Sequence, residues 1–112
     1  VVHRDRSAGQ VVLDAGGIAL SKDRGAVDLD PATGYGELLD LEGRALGLRL
    51  DGLSQEHGVV TGVGSEASEA LPVGTRVRIR VNHSCLTAAQ HAVYVVHEGM
   101  RVVDRWVNHR GW

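Results

Sequence analysis

The run Asn82-His83-Ser84-Cys85 brings an imidazole and the only thiol of the chain to positions i and i+2. It directly follows Arg76-Val77-Arg78-Ile79-Arg80-Val81, whose alternation is that of a half-buried strand. If the strand continues, side chains repeat every two residues. His83 and Cys85 then leave one face with their Cα atoms about 7 Å apart. Imidazole nitrogen and thiolate sulfur are good ligands for a borderline-soft divalent cation, zinc first. Two ligands do not close a tetrahedron. Such a site is either open, with water or substrate in the remaining positions, or completed by groups from elsewhere. The competing reading of a lone cysteine is a small buried hydrophobe.

Other reactive side chains form weaker patterns. Asp14 precedes Ala15-Gly16-Gly17 and reads either as a strand end before a tight turn or as a residue orienting a loop at a site. In Leu53-Ser54-Gln55-Glu56-His57-Gly58 a carboxylate and an imidazole are adjacent, but neighbouring strand residues face opposite ways, so Glu56 and His57 do not serve one site together. Gly52-Leu53-Ser54-Gln55-Glu56 lacks the second glycine of a hydrolase nucleophile elbow. Lys22 is the only lysine and lies in the polar turn Ser21-Lys22-Asp23-Arg24-Gly25, which offers little of the desolvation a Schiff-base lysine needs. No glycine-rich loop opens a helix that could hold a phosphate. His3, His91, His97 and His109 show no convergent spacing. Arg76, Arg78 and Arg80 form a basic stripe without interleaved aromatics to stack bases, which reads as a solvated face or one meeting acidic groups on a partner domain.

The elements that must position these groups are strands and turns. A length of 112 residues allows one domain with one modest core, which must be aliphatic because there is no Phe, with two Trp and two Tyr. Fifteen Gly against two Pro suit an all-β domain with many tight turns. Strands are expected at the N-terminal Val1–Asp5, at Gln10–Asp14, Ala45–Leu50, His57–Gly62 and Arg76–Val81, and as a hairpin of Ala92–Val96 with Met100–Val107. A loop covers Asp28–Gly36, Ser65–Leu71 is a loop or one helical turn, Pro72–Thr75 is a turn, and Leu86–Gln90 is one helical turn. The fold class is mainly β: a small antiparallel barrel or curled sheet with one or two short helical turns. A net charge of −2 gives no general attraction to nucleic acid or to an anionic membrane. No run of about 18 apolar residues and no signal-peptide pattern is present. One cysteine cannot form an internal disulfide, which fits a reducing cytoplasm. The start on Val1 within a strand, without Met, suggests a piece of a longer protein.

Asp14-Ala15-Gly16, Leu53-Ser54-x-Glu56-His57-Gly58, Asn82-His83-x-Cys85 and the closing Arg105-Trp106 and Arg110-Gly111-Trp112 occur in this order. Together they resemble the C-terminal domain of the D-serine dehydratase and D-threonine aldolase family, over nearly the whole chain from about Gln10 to Trp112. The resemblance implies that residues 1–112 are one β domain, following an alanine-racemase-like (β/α)8 barrel that holds pyridoxal phosphate and its lysine. It implies that His83 and Cys85 hold zinc or manganese beside that cofactor, supplying Lewis acidity toward the β-hydroxyl of a small D-amino acid, for dehydration or for aldol cleavage. Cys rather than Asp at position 85 leans toward the dehydratases and zinc. Val81 departs from the Pro many relatives carry there. Asn82 is expected to fix the turn by an Asx bond, and Asp14 and His57 match recurrent positions without an assigned role. The family's habit also implies a homodimer. A reading of another class is a metal-independent β module contacting a partner domain or a second subunit, with Cys85 in the core, His83 at the rim and the arginine stripe as the interface.

Overall fold

The computed structural model describes residues 1–25, 27, 29–30 and 32–110. Gly111 and Trp112 of the expected closing motif, and Asp28 and Pro31 of the expected loop, lie outside them. The elements run β1 (His3–Asp5), β2 (Gln10–Leu13), α1 (Gly17–Leu20), β3 (Gly36–Leu39), β4 (Ala45–Arg49), β5 (Gly52–Leu53), β6 (Gly58–Val60), α2 (Ser65–Ala70), β7 (Arg78–Val81), α3 (Ser84–Gln90), β8 (Val93–Glu98) and β9 (Arg101–Val107). The strands form antiparallel sheets in the orders β1-β2-β6-β5, β4-β3-β7 and β8-β9. The protein is mainly β, and the described residues form no closed barrel, so the curled sheet is the form the expectation takes.

Period-two burial explains why these segments pair. Val11 and Leu13 of β2, Leu38 of β3 and Val60 of β6 turn inward and join Leu50, Val63 and Leu71 in the aliphatic core. The curl is made at Leu50. Its N–H donates to Gly36 O at 2.8 Å and its carbonyl accepts from Tyr35 at 2.8 Å, both beside the second sheet. The next residue, Asp51, donates to Val59 O of the first sheet at 2.8 Å. One fully buried side chain thus sits where the chain passes between two sheets. No helix of the described residues is long and apolar enough to cross a membrane.

In the arginine stripe Arg76 and Arg80 are exposed, as a solvated face requires, and Arg80 pairs with Glu37 on the adjacent β3. Arg78 reaches the hairpin, with a nitrogen 3.0 Å from His97 Nε2. At its base the hairpin is fixed by Asn108, whose amide donates to Ala88 O at 2.9 Å and His91 O at 3.0 Å at the end of α3. Above that base all of β9 is exposed, including Val102, Val103, Trp106 and Val107.

The β1–β2 turn is held by one carboxylate. Asp5 Oδ1 accepts from the Ser7 hydroxyl at 2.7 Å, Ser7 N at 2.9 Å and Ala8 N at 3.0 Å. These bonds, the Ser7 hydroxyl foremost, hold its carboxyl below the ordinary value of 3.8. A depressed acid stabilises the fold above its unfolded pKa and loses that contribution as pH falls through the folded value. The difference in melting temperature between the protein and its Asp5→Asn variant should therefore be fully present at neutral pH and close below pH 3.8. A difference independent of pH would remove Asp5 from this role.

Candidate metal centre

β7 ends at Val81, and α3 begins at Ser84. His83 occupies the N-cap position with extended backbone, φ −133° and ψ 109°, and Cys85 lies in the first helical turn. The two residues therefore sit at a strand-to-helix junction and not on one face of a continuing strand. The physical reason is that helix formation from Ser84 ends the period-two alternation before it reaches Cys85. Cys85 is exposed, which excludes the buried-hydrophobe reading. It lines an open hollow of about 400 Å³ with Ala88, Ala89, Tyr94, Asn108, His109 and Arg110.

His83 is not free to turn. Its Nδ1 lies 2.5 Å from Asp23 Oδ2, a contact across 60 residues of sequence. Asp23 Oδ1 in turn accepts from Gly25 N at 2.8 Å. The Gly25 amide first, and the His83 ring second, hold this carboxyl below its ordinary range. An ionised Asp23 accepts from Nδ1–H, so in the neutral ring the lone pair lies on Nε2. In the sequence Asp23 is only one residue of a polar turn. Its sole signal was a Ser-x-Asp-x-Gly pattern, and nothing in it points to position 83.

Asn82 does not make the expected local bond. Its amide nitrogen donates to Thr33 O at 3.0 Å and Gly34 O at 3.1 Å, so it ties the approach to α3 onto a distant loop. Asp14 is exposed at the end of β2, and His57 is exposed ahead of β6. Neither side chain is bonded to His83 or Cys85 among the described residues. Their segments do meet through backbone. His57 N–H donates to Ser54 Oγ at 2.9 Å, closing the 54–57 turn. Gly17 and Ile18, in the helix that follows Asp14, donate to Ser54 O and Gln55 O at 2.9 and 3.2 Å. At the other end of α1, Thr87 Oγ1 donates to Leu20 O at 2.6 Å, and His91 Nε2 lies 3.0 Å from Ala19 O. The turn containing His57 thus supports α1, and α1 supports the helix that carries Cys85.

No group of three or more His, Cys, Asp or Glu side chains among the described residues is placed to hold a metal. The donor chemistry nevertheless fits an open site: one imidazole with a single available nitrogen and one exposed thiol, short of the four ligands of a structural zinc. Lys22 is exposed in the same turn as Asp23.

A curled β domain with a His-x-Cys element at a strand-to-helix junction defines a class. Residues 1–97 match the family described as "Putative serine dehydratase domain", and the chain belongs to that family. It is 36% identical to the D-threo-3-hydroxyaspartate dehydratase of Delftia sp. (strain HT23), over all of this chain and 31% of the relative. The D-serine dehydratase of Schizosaccharomyces pombe is 32% identical over 97% of this chain and 25% of its own length. Both matches fall on the C-terminal portions of these proteins. Two solved variants of a D-threo-3-hydroxyaspartate dehydratase superpose on the whole chain at 34% identity. One has a histidine replaced by alanine, with a TM-score of 0.89 and 30% of that chain covered. The other, in the metal-free form, has a cysteine two positions further on replaced by alanine, with a TM-score of 0.85 and 31% covered.

Proposed function

We propose that this chain is the metal-holding C-terminal domain of a pyridoxal phosphate-dependent dehydratase acting on small D-amino acids with a β-hydroxyl. The observation that carries the reading is the His83–Asp23 contact with Cys85 two residues on. The two residues substituted in the solved relatives have the same His-x-Cys spacing, and the cysteine variant is described as metal-free, which supports it. The site residues are His83 Nε2 and Cys85 Sγ as ligands to zinc or manganese. Asn82 places the junction through its side-chain amide, and the segments of Asp14 and His57 support it through α1. Bound there, the metal would supply Lewis acidity to a departing hydroxyl, and pyridoxal phosphate the electron sink. A preceding (β/α)8 domain supplies the cofactor lysine, the working unit is a homodimer, and the protein is cytoplasmic. Dehydration is preferred to aldol cleavage because both named relatives are dehydratases and position 85 is Cys.

The test is made on the whole polypeptide that carries this chain. Loss of water from D-serine or D-threo-3-hydroxyaspartate, followed by hydrolysis, should release ammonia and the corresponding 2-oxo acid. A chelator should abolish the release, and zinc or manganese should restore it. Residues 1–112 alone should give no turnover with added pyridoxal phosphate, and borohydride should leave no adduct on Lys22. Turnover with a stoichiometric Lys22 adduct would overturn the two-part assignment.

The second reading, a module that only contacts a partner domain or subunit, is favoured by one observation: the exposed, largely apolar β8–β9 hairpin. A two-stranded hairpin is marginal alone in water. Activity of the whole protein that is indifferent to chelation would select this reading.

A further inference from the structure

Resting on the assignment of His83 and Cys85 as ligands, we propose that Asp23 is the positioning residue of the centre. It accepts the hydrogen bond of His83 Nδ1–H and fixes the ring, so that Nε2 is the nitrogen left for the metal. Carboxylate–histidine pairs of this kind set the tautomer and orientation of a ligating imidazole.

The carboxylate is held by its own turn rather than by the imidazole. Its two oxygens are divided, Oδ1 on Gly25 N at 2.8 Å and Oδ2 on His83 Nδ1 at 2.5 Å. Asp23 N donates to Ser21 Oγ at 3.1 Å. Ser21 is itself nearly buried and in the left-handed region at φ 64°. Gly25 closes the turn at φ +58°, where a Cβ would lie 3.0 Å from His83 Cβ and 3.3 Å from Asn82 O. A side chain at Gly25 would be strained at this φ and would press on the junction that carries the imidazole. A turn with a left-handed serine, a left-handed glycine and a two-point carboxylate is a built support. A chance ion pair between side chains 40% and 32% exposed would need none of it.

The experiment compares the whole polypeptide with its Asp23→Ala, Asp23→Asn, His83→Ala and Cys85→Ala variants. Zinc affinity is read by competition with a chromophoric chelator. Cobalt(II) is then loaded, and the thiolate-to-cobalt charge-transfer band and the ligand-field bands are recorded. Asp23→Ala should weaken zinc binding by about 10–100-fold. Its cobalt form should keep the thiolate band and change the ligand-field bands. Asp23→Asn, whose amide oxygen can still accept from Nδ1, should recover part of the affinity. If zinc binding does not depend on His83 and Cys85, the ligand assignment itself fails, and this inference with it. If binding depends on both yet Asp23→Ala stays within about twofold of the unaltered protein, well short of that loss, only the Asp23 inference is overturned. Should Asp23→Ala not fold, Asp23→Asn decides: a several-fold loss supports the role, and unchanged affinity and spectrum overturn it.

Discussion

Replacing either His83 or Cys85 by alanine in the whole polypeptide is expected to remove the bound metal and nearly all dehydration of a D-β-hydroxy amino acid. A Lewis acid at a departing hydroxyl contributes several kcal/mol, and each 1.36 kcal/mol is tenfold in rate, so the loss should be on the order of 10³-fold or more. The fold should survive. Neither side chain belongs to the aliphatic core of Val11, Leu13, Leu38, Leu50, Val60, Val63 and Leu71. Cys85 is exposed, and His83 is held from one side by Asp23. A closed four-ligand zinc would couple metal loss to unfolding, whereas an open pair does not. Circular dichroism and pyridoxal phosphate absorbance should therefore match those of the unaltered protein. Cys85→Asp is the informative control, since it keeps a ligand but hardens the site. Activity returning with manganese rather than zinc would tie position 85 to the metal. Full metal content and full activity in Cys85→Ala would end the assignment.

The second large effect is expected at a residue with no chemistry of its own. Gly16→Ala would place a Cβ 2.4 Å from Gln55 O, from the Glu56 carbonyl carbon and from His57 N. All three are backbone atoms, so no side-chain rotation relieves the overlap. α1 must leave the 54–57 turn, and the bonds from Gly17 to Ser54 and Ile18 to Gln55 are lost with it. A cost of about 3 kcal/mol or more follows from overpacking together with broken bonds. Natural domains are stable by only about 0.05–0.15 kcal/mol per residue, so this is a large share of the total. Gly52→Ala is the matched control, meeting only Val59 Cβ at an ordinary 3.8 Å, and should shift the urea midpoint little. Equal midpoints for the two variants would show that the contact between α1 and the turn is dispensable.

The sequence disclosed what depends on local pattern. Alternation located β4 and β7, and short apolar runs bounded by turn residues located β2 and the β8–β9 hairpin. It did not reveal β3, since Gly36-Glu37-Leu38-Leu39 sets two leucines side by side and only their pairing with β4 and β7 decides which is buried. Nor did it reveal β5, two residues long and defined by its ladder to β6. At the centre, the two ligand candidates were legible from their types and spacing, and the family resemblance gave them a context. Their local geometry was not, because nothing in Asn82-His83-Ser84 announces where the helix starts. Asp23 was not legible as a partner because its contact with His83 spans 60 residues of sequence.

The four-residue α1 has practical consequences for inserting sequence into this domain. Surface turns ordinarily accept added residues at little entropic cost. The 54–57 turn should not, because its carbonyls receive the first amides of α1 while Leu20 O, at the far end of α1, anchors Thr87 of α3. An epitope or reporter placed there would reach the cysteine-bearing helix without touching a ligand. The turn between β3 and β4 is the opposite case. Asp40 and Arg44 close it with their own bonds, and a Cβ on Gly43 would meet nothing within 4 Å. Tags, permuted termini and fused domains belong at that turn.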